Sequence, residues 1–237
     1  MPEHSSKIRR LYAVGDIHGR SDLLDRIAEK IRNDLGNVAR DECVTVTLGD
    51  YVDRGPDSRG VLDRLARNPF PTPYVALKGN HEELFESFLR DSSVGHQWRQ
   101  LGGLETLHSY GVPVGQLMIG KQFEEASKAL RAIVPQHHFE FLSSLKTSFE
   151  WDKYFLCHAG ICPGVPFERQ SDQDMLWIRD KFLNSQMNFG KVVIHGHTPT
   201  EQPEELPNRI NIDTGAFATG RLTCVVLEEG CRRFLTA

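Results

Sequence analysis

Apolar residues along this chain change their spacing in a regular way. Short continuous apolar runs at Leu11 to Val14, Cys43 to Leu48 and Tyr74 to Leu77 read as buried strands. Between them the period becomes helical. Leu23, Leu24, Ile27, Ile31 and Leu35 form one stripe with Ser21 as the expected N-cap. Val61, Leu62 and Leu65 form a second stripe, capped by Asp57 or Ser58. Pro69, Pro71 and Pro73 mark the turn into the third strand. Alternation of strand and helix predicts parallel strands joined by right-handed crossovers.

From about Glu82 to Ser144 the pattern is helical with breaks at Gly102-Gly103 and at Ser109 to Pro113, which predicts a cap-like group of helices. Phe85, Phe88 and Leu89 are the expected buried side of its first helix. Short strands are predicted at Tyr154 to Cys157, Val192 to Ile194, Ile210 to Ile212, Leu222 to Leu227 and Arg232 to Leu235, with one helix from about Asp172 to Asn184 among them. No repeat, low-complexity tract or linker interrupts the chain, so residues 1–237 are expected to form a single domain.

Composition narrows the class. The 237 residues suffice for a sizeable core, and 39% hydrophobic with 25% charged residues is ordinary for a globular protein. A net charge of −4 gives no electrostatic case for nucleic acid. The polar start, Met1 to Arg10, has no apolar signal core, and no run is long enough to span a membrane, so a cytoplasmic protein without a membrane partner is expected. Five cysteines with no Cys-x-x-Cys pair are expected to be reduced and structural, Cys157 included.

The candidate chemistry sits directly after the strands. Gly15-Asp16-Ile17-His18-Gly19, Gly49-Asp50-Tyr51-Val52-Asp53-Arg54-Gly55 and Gly79-Asn80-His81-Glu82 each place oxygen or imidazole ligands at a strand's carboxyl end, where α/β sheets open a crevice. His158 and His195-Gly196-His197 add imidazoles later in the chain. Asp16 and His18, two apart, leave their strand on the same side. Carboxylate, carbonyl and neutral imidazole together suit a borderline divalent ion such as Mn, Fe or Zn, and Asp50 is placed to bridge two of them. Such a pair, ~3.5–4 Å apart, clamps a phosphate and lowers the pKa of bound water toward ~7. Arg54 is suited to forked phosphate contacts, and His81, oriented by Asp53, to protonating the leaving alkoxide. Arg179 in Leu176-Trp177-Ile178-Arg179 is a further candidate for the phosphate. Strand alternation puts His195 and His197 on one side, so spacing leaves both open as ligands. His137-His138 is expected on the surface.

The runs GDIHGR, GDYVDRG, GNHE, HAG, LWIR and HGHTP, in this order from Leu11 to about Leu222, resemble the phosphoprotein phosphatase (PPP) family of metallophosphoesterases in its compact bacterial and phage-like form. The resemblance implies an α/β metallophosphoesterase fold: a central β-sandwich of mixed sheets flanked by helices, four layers in all. It implies two divalent metal ions, most simply Mn with Fe or Zn as alternatives. Asp16, His18 and Asp50 would hold one; Asp50, Asn80, His158 and His197 the other, which favours His197 over His195. It further implies a His81–Asp53 acid pair, with Arg54, Asn80 and Arg179 around the phosphate. The eukaryotic members' carboxy-terminal tail and regulatory-subunit elements have no counterpart, so no obligatory regulatory subunit is expected.

The implied activity is a dinuclear phosphomonoesterase on phosphoserine and phosphothreonine proteins or peptides, extending to phosphotyrosine, by direct attack of metal-bound hydroxide. One alternative is hydrolysis of dinucleoside polyphosphates of the diadenosine tetraphosphate type. Asp213-Thr214-Gly215-Ala216 with Gly220-Arg221-Leu222-Thr223 resembles the ending of those hydrolases, and Tyr110, Trp98 and Phe217 are candidates to stack a base. A non-catalytic metal-binding scaffold is the other alternative, disfavoured by the intact acid pair. Cysteine-phosphatase chemistry is excluded because no cysteine has Arg six positions on, and aspartyl-phosphate chemistry because Asp16 is followed by Ile17-His18.

Overall fold

A computed structural model describes residues 8–237; the polar start at 1–7 lies outside the described residues. The first sheet holds β1 (Arg10–Val14), β2 (Cys43–Thr47), β3 (Tyr74–Ala76), β9 (Thr223–Glu228) and β10 (Cys231–Thr236), in the order β10-β9-β1-β2-β3. β1, β2 and β3 are parallel as predicted, with Leu11 opposite Val44. The sheet as a whole is mixed, because β9 runs antiparallel to β1 and carries β10 on its far edge. The second sheet holds β4 (Ser148–Trp151), β5 (Tyr154–Cys157), β6 (Val192–His195), β7 (Glu204–Glu205) and β8 (Arg209–Asn211), in the order β4-β5-β6-β8-β7. Sequence pattern missed β4 and β7. Both are short antiparallel edge strands with exposed positions, which carry little apolar signal.

Strand alternation explains the layering. On β1, Leu11 and Ala13 face the second sheet, while Tyr12 and Val14 face helices. On β5, Leu156 faces the first sheet, whereas Phe155 and Cys157 face helices on the other side. Leu11, Val46, Leu156, Ile194, Ile210 and Val225 thus fill a dry seam between the sheets, all of them fully buried. Truncating Leu156 or Ile194 to Ala in that seam would cost about 2–5 kcal/mol. The result is helix, sheet, sheet, helix: the four layers expected.

Against the first sheet pack α1 (Ser21–Leu35), α2 (Ser58–Leu65), α3 (Asn80–Arg90), α4 (Gly95–Gln100), α5 (Gly103–Ser109), α6 (Phe123–Ile133) and α7 (Gln136–Ser144). Phe85, Phe88 and Leu89 are buried as predicted, in the same apolar cluster as Leu24 of α1 and Leu62 of α2. Asp57 caps α2, accepting from the Gly60 N–H at 2.9 Å. Ser21 does not cap α1. Arg20 holds the cap position, and Ser21 instead donates to Asp57 Oδ2 at 2.6 Å, tying the two helix starts together.

On the second sheet's outer face, the single helix expected from 172 to 184 is two: α8 (Asp172–Trp177) and α9 (Asp180–Leu183). Arg179, at φ −133° and ψ −107°, breaks the helical path between them. The short α10 (Ala216–Thr219) precedes β9. Among the described residues no helix is long and apolar enough to cross a membrane. The cysteines are free, and all but Cys231 are buried.

Candidate metal centre and active site

Loops leaving the carboxyl ends of β1, β2, β3, β5 and β6 meet at one end of the sandwich. They bring together Asp16, His18, Asp50, Asp53, Asn80, His81, His158 and His197, all of them buried. The backbone there is unusual. His18, Asp50, Asp53, Arg54 and His197 have φ between 43° and 70°, the left-handed region that costs a side-chain-bearing residue on the order of 1 kcal/mol or more. Gly55 lets two of these loops touch, since a Cβ there would collide with the His18 carbonyl.

Hydrogen bonding fixes which ring nitrogens are available. A carbonyl only accepts, so His158 Nδ1 donates to Leu48 O (3.0 Å) and His18 Nδ1 donates to Val52 O (2.8 Å). Each Nε2 therefore faces inward. His158 Nε2 lies 3.0 Å from Asn80 Oδ1, 3.1 Å from His197 Nδ1 and 3.3 Å from Asp50 Oδ1. The other carboxylate oxygen, Asp50 Oδ2, lies 3.4 Å from His18 Nε2, so Asp50 spans two donor groups. Asp16 joins through its Oδ2, which accepts from the His197 N–H at 3.0 Å.

These donors fit divalent cations. Asp16 Oδ1 and His18 Nε2 are buried with no hydrogen-bond partner, an expensive state for polar atoms unless an ion receives them. Burial, with Asp213 and Asp50 beside it, pushes the Asp16 carboxyl well above the usual range. Burial pulls His18 down to about 3 and His197 to about 2, leaving both imidazoles as neutral ligands. At His158 burial also acts downward, but Asp50 and Asp16 outweigh it and lift the ring to about 9. The carboxylates gathered here favour positive charge at the centre of the cluster.

Next to this cluster stands a buried histidine–carboxylate pair. His81 Nδ1 donates to Asp53 Oδ2 at 2.7 Å, and His81 Nε2 is 3.2 Å from Arg54 Nη2. Burial alone would lower His81. The charge of Asp50 and the bond to Asp53 override it and raise the ring above its ordinary value. Asp53 is itself held from the helical segment: Trp98 Nε1 of α4 donates to Oδ2 (2.8 Å) and Thr106 Oγ1 of α5 donates to Oδ1 (2.6 Å). Its backbone N–H reaches Ser58 and Thr106 oxygens. The break at Gly102-Gly103 has a use here, because Gly102 O accepts from the Arg54 N–H (3.1 Å) where any Cβ would strike the Arg54 backbone.

Sequence spacing assigned no role to Glu82 or Thr106, and gave Trp98 only as a candidate to stack a base. Glu82, fully buried, accepts from four backbone N–H groups: Asp50 (2.9 Å), Tyr51 (2.7 Å), Val52 (3.2 Å) and Gly79 (2.9 Å). It clamps the loop carrying Asp50 to the start of α3. Its place in Gly-Asn-His-Glu was the available signal. Trp98 and Tyr110 are not base-stacking surfaces: both are buried, one bonded to Asp53 and the other to His138. Phe217 is 37% exposed at the cleft, 5.1 Å from the Arg54 guanidinium and edge-on to His18. Arg179 is exposed at the rim, with Nη1 3.3 Å from Thr198 Oγ1. His195 lies apart from the donor cluster, its ring packed edge-on against Phe182. Cys157 is buried, and burial pushes its thiol up. His138 departs from the surface position expected of it, being fully buried.

Known proteins resemble this chain in sequence and in fold. The sequence model of the calcineurin-like phosphoesterase family matches residues 9–221. Serine/threonine-protein phosphatase 2 of Salmonella typhimurium is 30% identical over 230 residues, covering 93% of this chain and 94% of that protein. The asymmetrical bis(5'-nucleosyl)-tetraphosphatase PrpE of Bacillus thuringiensis is 24% identical over 250 residues, covering 91% of this chain and 89% of that one. The crystal structure of a putative diadenosine tetraphosphatase shares the fold, with a TM-score of 0.67 at 20% identity over 100% of this chain and 96% of that one. A family match across most of the chain, a shared four-layer fold and a buried donor set lead to one assignment: this chain is a metallophosphoesterase and belongs to the calcineurin-like phosphoesterase family.

Proposed function

We propose that the chain is a dinuclear metal-dependent phosphomonoesterase that dephosphorylates phosphoserine and phosphothreonine in proteins, with phosphotyrosine as a further substrate. The observation that carries this reading is the His81–Asp53 pair at 2.7 Å, set beside Arg54 and the Asp50 carboxylate. A site built only to bind metal or partner has no use for a buried, oriented imidazole with a raised pKa.

In this reading Asp16, His18 and Asp50 hold one cation, and Asp50, Asn80, His158 and His197 the other, with Mn as the first candidate. Bound there, two cations supply Lewis acidity toward phosphate oxygens and a water of lowered pKa. Arg54 and Arg179 bind phosphate oxygens, Arg54 through its fork, and the Asn80 amide adds a donor. With Arg54 turned to the phosphate, His81 Nε2 is free to take up a proton from solvent, as its raised pKa favours, and to give that proton to the leaving alkoxide. Asp53 keeps the ring in place throughout, and Trp98 and Thr106 keep Asp53 in place.

Phe217 favours a second reading. An exposed ring against Arg54 can stack a flat leaving group, as a nucleobase would require, and the PrpE relative is named for cleaving such a compound. The test follows phosphate release from a phosphopeptide and nucleotide release from diadenosine tetraphosphate in parallel, with Mn added back after chelation. Mn-dependent release from the peptide with little nucleotide cleavage is expected. Preferential nucleotide cleavage would overturn the substrate assignment and leave the site intact. No turnover of either would support the scaffold alternative.

A further inference from the structure

We propose a third metal site, separate from the catalytic cluster, formed by Asp63 of α2 with His137 and His138 of α7 and suited to a borderline divalent ion, Zn(II) before Co(II) or Ni(II). The two ε-nitrogens converge on one oxygen: His137 Nε2 and His138 Nε2 lie 2.8 Å and 3.1 Å from Asp63 Oδ1. The rings stand edge to face, with centroids 4.4 Å apart and planes at 75°, so they aim at a common point instead of stacking. All three ligand atoms lie within 4.8 Å of one another. Two imidazoles and a carboxylate leave one tetrahedral position open, as at three-ligand zinc sites.

Burial and polarity are graded as such a site requires. The His138 side chain is fully buried, while those of His137 and Asp63 are 40% and 37% exposed, so an ion and a water can enter from one side only. His138 Nδ1 is 2.7 Å from the Tyr110 hydroxyl, which fixes the ring from behind. Desolvation keeps His138 mostly neutral, able to offer a lone pair. Arg59, over the face of Tyr110, is a cation facing the cluster from α2, so the site is expected to bind less tightly than the catalytic one. An ion here would join α2 to α7 and, through Tyr110, to α5. α2 and α5 are the helices that present Ser58 and Thr106 to Asp53.

The test counts metal. Wild type, His137→Ala and Asp63→Asn are equilibrated with Zn(II), dialysed at low free Zn(II), and assayed for zinc per chain by mass spectrometry, with circular dichroism confirming the fold. One zinc more per chain in wild type than in either variant is expected, together with a larger Zn(II)-dependent rise in Tm. Equal counts in the three proteins would overturn the proposal and leave an ordinary histidine–carboxylate pair. The catalytic cluster contributes alike to all three, so the difference does not depend on how that cluster is filled.

Discussion

Glu82→Gln is the sharpest probe of how the site is held. The carboxylate accepts four backbone N–H groups, two on each oxygen, while fully buried. An amide retains one accepting oxygen, so its best placement keeps the Tyr51 and Val52 bonds and turns an NH2 donor against the Asp50 and Gly79 donors. Two buried N–H groups are stranded at about 1–3 kcal/mol each. The neutral amide is easier to bury than a carboxylate, and burial with Asp50's charge already pushes Glu82 up to about 7. The net loss should be about 2–4 kcal/mol, which for a chain of this size lowers Tm by roughly 5–15 °C. Because Asp50 sits at φ 53°, beside this clamp, its carboxylate should shift and metal affinity fall about 10–100-fold. Scanning calorimetry and metal titration measure both, with Glu125→Gln on the exposed face of α6 as control. A Glu82→Gln protein with unchanged Tm and metal affinity would refute the clamp.

Three further outcomes are expected. His81→Asn should keep its metal while kcat falls about 10²–10⁴-fold, the contribution of a general acid; wild-type turnover with metal retained would remove His81 from that role. Trp98→Phe keeps an aromatic ring in the core but withdraws the Nε1–H from Asp53, so kcat should fall roughly tenfold and stability by about 1.5–3 kcal/mol, read by steady-state kinetics and urea unfolding. Phe217→Ala removes a half-exposed ring, so stability should move by less than about 0.5 kcal/mol. Its KM for an aromatic phosphate ester should rise several-fold, by the roughly 0.5–1.5 kcal/mol of an aromatic contact, with little change for phosphoserine peptides.

Sequence pattern reached the parts of the fold that alternate or repeat. β5 matches its predicted bounds, and the stripe of α1 is buried at Leu23, Leu24, Ile27, Ile31 and Leu35. It failed where tertiary contacts decide. Arg179 breaks an otherwise helical run through its own backbone torsions, and Arg20 displaces Ser21 from the cap position. His138 looked like a surface residue because its partners, Asp63 and Tyr110, are 75 and 28 positions away. The candidate donors were legible because glycine-flanked ligands follow directly after strands. Their support was not: Trp98 and Thr106 reach Asp53 across 45 and 53 residues, a distance no local spacing encodes.

Activity followed through metal removal and return tests the central claim most directly. Chelated protein should lose release of phosphate from a phosphopeptide, and recover it as Mn is added back, in step with occupancy of two ions per chain at the cluster of Asp16, His18, Asp50, Asn80, His158 and His197. Asp50→Asn, which weakens the carboxylate lying between His18 and His158, should fail to recover. Undiminished turnover in protein shown to be free of metal would contradict the account.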